Sequence, residues 1–322
     1  MPLDDATNDD ARARENHLNA NLRPSRSEFV DIRGLRYHLR CWGPAPEQSR
    51  HTLVMLHGWM DVSASFQFVV DALPEDWRVV APDWRGYGLT ERPRADCYWF
   101  PDYLADLERV LDAHVPGPAI LVGHSMGGNV ALLYAGIRPD RARAVINLEG
   151  FGLRETHAAQ APGRYAQWLD ELRNGVAMRD YESAADVARR LQRNNPRLTP
   201  ERAAFLAQHW AIEQADGRWA VAGDPAHRIV NPTLYRLDEV LACWARIDCP
   251  VLWVRAENTD VLRFVADQPQ SAIEEVERRR AVLRDVEAIE VEDAGHMVHH
   301  DRPEFVAQAI RAFVARRIDA AR

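Results

Sequence analysis

The sequence is poor in cysteine. Cys41, Cys97, Cys243 and Cys249 are the only four in 322 residues, and none is spaced C-x-x-C. That pattern offers neither a disulfide framework nor a zinc or thioredoxin-like motif, so the thiols read as buried or idle. Long apolar runs are also missing. The longest, such as residues 119–123, fall far short of the roughly 20 residues needed to cross a bilayer. The opening MPLDDATNDDARAREN is acidic and polar, without the apolar stretch of a secretory signal. Nor is there an excess of positive charge. Lys and Arg total 40 against 48 Asp and Glu, a net charge of −8, and the isoelectric point is near 5.9. A general affinity for phosphate backbones is therefore not expected. No internal repeat or low-complexity tract is visible. These absences predict a cytoplasmic protein with neither nucleic-acid nor membrane partners.

With 47% hydrophobic and 27% charged residues, the composition is that of an ordinary globular chain. Residues 1–25 are polar and aperiodic and predict a mobile extension, with a short helix over 11–20. SEFVDIRGLRYHLRCWG then gives two alternating runs around Arg33-Gly34, the signature of a β-hairpin. Six apolar runs follow: TLVMLHG from Thr52, RVVAPDW from Arg78, AILVGHS from Ala119, AVINLEG from Ala144, PVLWVRAE from Pro250 and AIEVEDAG from Ala288. Helix-period segments separate them. Residues 102–112 align Leu104, Leu107 and Leu111, residues 126–137 are small and apolar, and residues 303–314 align Phe305, Ala309 and Phe313. Continuous apolar strands alternating with helices predict a mostly parallel sheet covered on both faces. Between Phe151 and Cys249 no apolar strand run is visible. RYAQWLDELRN, SAADVARRLQRNN and TPERAAFLAQHWAIE read as charged amphipathic helices, the last with Thr199 as N-cap and Pro200 in first position. The run 274–280 reads as a solvated helix face.

The sharpest chemical signal is Gly123-His124-Ser125-Met126-Gly127-Gly128. It follows an apolar strand and opens a helix, the context in which G-x-S-x-G forms a nucleophile elbow. The turn forces the serine backbone into an unusual region so that Oγ stands above the sheet. The flanking glycines let strand and helix approach, and the helix N-terminus supplies free N–H groups. The spacing does not match the G-x-G-x-x-G of dinucleotide binding.

With this elbow at its centre, the chain from about Ser27 to the last helix resembles the α/β-hydrolase family. The resemblance implies a mostly parallel eight-stranded sheet with helices on both faces and a helical cap inserted after the sixth strand. It divides the chain into a 1–25 extension, a core of 26–150 and 246–322, and a cap of 151–245. It also implies the chain order nucleophile, acid, histidine.

His296, in VEDAGHM after the last strand, matches the family's histidine, and imidazole suits a general base. His299 and His300 are nearby rivals, expected to be structural or solvent-facing. For the acid, the loop after PVLWVRAE offers Asp260, although Ala256 replaces the glycine of the family's pattern. Its role would be to hold the imidazole tautomer. Glu257 is a local rival. Glu149, at the end of AVINLEG, is a second one, because some members carry the acid there. The oxyanion donors implied are the backbone N–H groups of Met126 and of Trp59 in His57-Gly58-Trp59. His57 is expected to be a structural hydrogen-bonder, and a His57–His124–His296 metal cluster is not expected. Asp83-Trp84-Arg85-Gly86-Tyr87-Gly88 resembles the family's loop shaping the floor of the site. Trp168, Trp210, Trp219 and Trp244 are expected to bind the cap to the sheet.

The resulting expectation is a serine hydrolase of the carboxylesterase type (EC 3.1.1). It would use Ser125, His296 and Asp260 on a small-molecule acyl substrate, without cofactor or metal, as a monomer or homodimer. Cleavage of a carbon–carbon, lactone or amide bond by the same triad is the alternative, and a non-catalytic small-molecule receptor is a third reading. Epoxide hydrolases and haloalkane dehalogenases use an aspartate nucleophile, whereas position 125 is serine. Substrate class on such a fold follows from the pocket rather than the triad.

Overall fold

The computed structural model describes residues 22–320. The proposed helix over 11–20 lies outside the described residues. At the edge of that region, Arg23 is pinned rather than free. Its backbone N–H donates to Asp71 Oδ1 (2.8 Å), and its guanidinium donates to the carbonyls of Pro74, Glu75 and Trp77.

The hairpin forms as the alternation predicts. Strands β1 (Ser25–Ile32) and β2 (Leu35–Trp42) pair antiparallel. Arg33 and Gly34 both have positive φ (56° and 78°), the turn whose twist matches that of the flanking strands. The chain continues through β3 (His51–Leu56), helix α1 (Gln67–Asp71), β4 (Trp77–Pro82), α2 (Phe100–His114), β5 (Ala119–His124), α3 (Met126–Ile137) and β6 (Ala142–Leu148). After an insertion come β10 (Val251–Ala256), α8 (Pro269–Arg280), β11 (Val286–Val291), α9 (Val298–Asp301) and α10 (Pro303–Val314). The large sheet has eight strands in the order β1-β2-β4-β3-β5-β6-β10-β11. β2 is antiparallel to both neighbours, and the strands from β4 to β11 run parallel.

Strand periodicity divides the core into two layers. Val54 and Leu56 of β3, Leu121 of β5 and Val145 of β6 pack with α2 and α3 on one face. Their neighbours Leu53, Met55, Ile120, Val122 and Ile146 pack with α1 and α10 on the other. Burial on both faces is why these strands read as continuous apolar runs. Helix α3 is buried along most of its length, as its small residues predict. In α10 the buried face differs from the expected one. Val306, Ile310 and Phe313 lie inward while Phe305 is exposed, because the alignment at 305, 309 and 313 is displaced from the stripe that meets the sheet.

The insertion holds α4 (Ala161–Asn174), β7 (Asp180–Tyr181), α5 (Ala184–Asn194), α6 (Pro200–Trp210), β8 (Ala211–Glu213), β9 (Trp219–Val221) and α7 (Leu237–Trp244). Three of its helices are those read from the sequence, and Thr199 Oγ caps α6 by accepting from Arg202 N–H (3.3 Å). The expectation of no strands there fails. β7, β9 and β8 form a small antiparallel sheet, and residues 211–213 belong to it rather than to the helix. Strands of two or three residues are too short to leave an alternation in the sequence. Of the insertion's tryptophans, Trp210 donates from Nε1 to the Met60 carbonyl (2.6 Å), and Trp244 packs edge-on against Trp253 of β10. No helix among the described residues is long and apolar enough to cross a membrane.

Candidate active site

Ser125 follows β5 with φ 52° and ψ −114°, a conformation that L-residues rarely adopt and that functional sites hold at a cost. The surroundings enforce it. The Ser125 N–H donates to the Leu148 carbonyl (2.8 Å), and its own carbonyl accepts from Asn129 N–H (3.0 Å). Gly127 is required by close approach, since a Cβ there would stand 2.0 Å from the Leu56 carbonyl oxygen. The same bond to Leu148 places the serine beside the end of β6, whose next residue is Glu149.

Glu149 also has positive φ (62°). Asn147 and Gly150 close a tight turn around it: Gly150 N–H donates to Asn147 Oδ1 (3.1 Å), and Asn147 Nδ2 donates to the Gly150 carbonyl (2.8 Å). The carboxylate is buried among donors. Oε1 accepts from the Ala256 N–H (2.6 Å), and Oε2 accepts from the Thr259 hydroxyl. His296 Nδ1 lies 3.3 Å from Oε2. Burial pushes this carboxyl up to about 8, against the hydrogen bonds from Thr259 and Ala256. It also pushes the His296 imidazole down to about 4, so the ring is neutral at pH 7.

The expected acid, Asp260, does not meet the histidine. It opens a short turn over Val261–Phe264, and its carboxylate pairs with Arg263 one turn on. Its side chain is 62% exposed, whereas that of Glu149 is 0% exposed. The residue of that loop that points inward is Thr259. Its partner on the acid of the neighbouring strand was not foreseen, because a lone threonine beside an aspartate carries no such signal. Glu257 faces outward, accepting from Asn258 Nδ2 and Asp293 N–H.

Trp59 follows β3 as a 54% exposed residue, its Nε1 donating to the His227 carbonyl of the insertion (3.1 Å). The turn it belongs to touches the nucleophile: a Cβ at Gly58 would lie 3.3 Å from Ser125 Cβ. His57 lies beneath, donating from Nδ1 to the Gly58 carbonyl (2.8 Å) and accepting at Nε2 from Trp84 N–H (2.9 Å). In the floor loop, Arg85 grips the buried Asp106 with Nε and a terminal nitrogen (2.6 and 2.7 Å). His299 and His300 are both buried rather than solvent-facing. They lie with His124 and Asp61 under the nucleophile turn, where Asp61, His124 and His299 could hold a metal ion. Of the other histidines nearby, His57 uses both ring nitrogens in hydrogen bonds and His296 turns Nδ1 to Glu149.

A family model described as "Alpha/beta hydrolase family" matches residues 53–309. The chain is 30% identical over 283 residues to the "Serine hydrolase-like protein" of Danio rerio, covering 85% of this chain and 83% of that one. It is 26% identical over 288 residues to 2-(acetamidomethylene)succinate hydrolase of Mesorhizobium japonicum, covering 89% and 95%. A solved thioesterase domain from the curacin biosynthetic pathway superposes with a TM-score of 0.78, over 89% of this chain and 99% of that one, at 23% identity. With the family model matching residues 53–309, most of its length, the chain belongs to the α/β-hydrolase family.

Proposed function

We propose that the protein is a serine hydrolase that cleaves a carboxylic ester or related acyl bond of a small molecule with Ser125, His296 and Glu149. The observation that carries the reading is the contact between His296 Nδ1 and the buried, fully hydrogen-bonded carboxylate of Glu149, beside a serine held in an elbow. With Nδ1 engaged, Nε2 is left to serve Ser125. In its ionised form Glu149 takes the role first given to Asp260, fixing the tautomer and stabilising the imidazolium, and since burial raises the carboxyl to about 8 this form gains population toward alkaline pH.

In this mechanism Ser125 Oγ bonds to the substrate carbonyl carbon as its proton passes to His296 Nε2. The carbonyl oxygen becomes an oxyanion facing the backbone N–H groups of Met126 and Trp59. Collapse breaks the bond to the leaving alkoxide, which takes the proton from His296 and departs as alcohol. Water then attacks the acyl-enzyme, giving its proton to His296, and collapse breaks the bond to Ser125 Oγ, which takes that proton back from His296 as the carboxylic acid leaves.

The test is hydrolysis of p-nitrophenyl esters of increasing chain length by wild type and Ser125→Ala side by side, with fluorophosphonate labelling of both. The expected result is labelling confined to wild type and a loss in kcat of about 10³-fold or more in the variant. Equal turnover by the two would overturn the reading. The full-length likeness to the Mesorhizobium hydrolase supports a second arm, the N-acyl substrate named for that relative. Ser125-dependent turnover there but on no ester would move the assignment to amide-type bonds on the same triad.

A further inference from the structure

Four imidazoles lie in a column under the nucleophile turn. Ring centroids are 4.7 Å apart for His296 and His124, 4.2 Å for His124 and His299, and 4.2 Å for His299 and His300. The proposed chemistry uses only the first. Beside the column sits Asp61, buried, with Oδ1 accepting from the Val62 N–H (2.9 Å). Its Oδ2 has no hydrogen-bond partner among the described residues. The nearest imidazole nitrogen, His299 Nε2, stands 3.8 Å away, beyond hydrogen-bond length. A buried carboxylate oxygen without a donor is strongly unfavourable unless a cation or water meets it.

His124 presents a matching vacancy in its bonding. Its Nε2 lies 2.8 Å from the His296 carbonyl oxygen. A carbonyl only accepts, so the ring proton is on Nε2 and Nδ1 carries a bare lone pair. That Nδ1 is buried and has no partner among the described residues, and neither has His299 Nδ1. One ring N–H on a backbone carbonyl with the other nitrogen's lone pair turned inward is how metal-ligating histidines are held. One ligand atom each from Asp61, His124 and His299 lie within 4.8 Å of one another.

We propose that Asp61, His124 and His299 bind one divalent transition cation of the borderline class, with Zn²⁺ the foremost occupant. Two imidazole nitrogens and one carboxylate oxygen suit Zn²⁺, Co²⁺, Ni²⁺ or Cu²⁺, whereas Mg²⁺ and Ca²⁺ call for oxygen donors. Bond lengths of roughly 2.0–2.2 Å require the three ligands to draw closer around the ion. The neighbouring histidines are already committed: His300 Nε2 to Ser65 Oγ (2.5 Å), His57 at both nitrogens, and His296 Nδ1 to Glu149, while the same Ser65 Oγ lies 3.3 Å from His299 Nε2 and would yield it to the ion. Through the bond from His124 Nε2, the cation is coupled to the segment that carries His296. Its existence does not depend on which bond the enzyme cleaves.

The experiment titrates tag-free, EDTA-treated full-length protein with Zn²⁺ by calorimetry and with Co²⁺ by visible absorbance. One equivalent is expected to bind, with the intense absorbance of a low-coordinate Co²⁺ site. Asp61→Asn and His299→Gln should each weaken binding at least about 10-fold, and His300→Gln should leave it unchanged. Circular dichroism in EDTA establishes that each variant folds. Absence of binding to wild type, meaning that water alone fills the cluster, overturns the proposal. So does wild-type affinity in folded Asp61→Asn or His299→Gln. Should neither variant fold, the wild-type Co²⁺ spectrum decides, and the weak bands of an all-oxygen octahedral ion overturn it.

Discussion

His296 Nδ1 stands 3.3 Å from Glu149 Oε2, joining the loop after the last strand to the end of the sixth. The two residues are far apart in the chain, and the register of β6 on β10 and of β10 on β11 brings their loops to one edge. The glutamate also spans to β10, accepting from Ala256 N–H. The Glu149 carboxyl, the His296 ring and three strand ends therefore form one unit.

The contact separates two carboxylates by experiment. Glu149→Gln is expected to lower kcat by about 10³- to 10⁴-fold, the scale of losing the tautomer-fixing acid. Asp260→Asn, at an exposed ion pair, should stay within about threefold of wild type. Steady-state kinetics on one ester checks both. Glu149→Gln should also change the pH dependence of stability. Burial raises the carboxyl to about 8, so between 4.5 and 8 the native state holds more protons than the unfolded chain. Wild-type stability then falls as pH rises through that window. The variant lacks this penalty, so its melting temperature should gain on wild type from pH 5 to pH 8.

Strain at the nucleophile predicts a trade of stability against function. Ser125→Gly removes a side chain from positive φ, relieving part of a cost of about 1–3 kcal/mol, while glycine gives back about 0.5–1 kcal/mol of chain entropy. A melting temperature at or slightly above wild type is expected, with no activity. A clear drop in a thermal scan would contradict this account.

Buried imidazoles make the fold sensitive to acid. Burial lowers His227 to about 3, and His209 and His296 to about 4. The unfolded chain takes up these protons near 6.5, so it binds more protons than the native state below that pH, and stability falls as pH drops from 6.5 toward 4. Each group contributes up to about 1.4 kcal/mol per pH unit. Denaturant midpoints in EDTA should fall steeply below pH 6, and His209→Gln should flatten the slope.

The floor of the site rests on a buried ion pair. Asp106 is fully buried and accepts from Tyr37 Oη, Arg85 and Arg33. Asp106→Ala leaves the Arg85 charge without its main partner, an expected cost of about 3–5 kcal/mol. Urea denaturation reads it directly. Residual activity in the folded fraction should remain, because neither residue touches the triad.

The sequence by itself determined the elements that local chemistry dictates. Continuous apolar runs in β3 to β6 require cover on both faces, which selects a parallel sheet between helix layers. Gly123, Gly127 and Gly128 around Ser125 leave the chain one way to turn from strand to helix, so the strained elbow at Ser125 is legible from spacing alone. His296 is nearly as legible, as a histidine just past the last strand. The acid was not. Glu149 directly follows β6 and Asp260 lies four residues past the neighbouring β10, and nothing in the local sequence says which of them meets the histidine. Tertiary structure sets the two apart: burial and the donors Ala256 and Thr259 converge on Glu149, while Arg263 pairs with the exposed Asp260. The short strands of the insertion and the Asp61–His124–His299 cluster belong to the same class. They depend on contacts between distant segments, where pairing partners and desolvation, rather than periodicity, set the outcome.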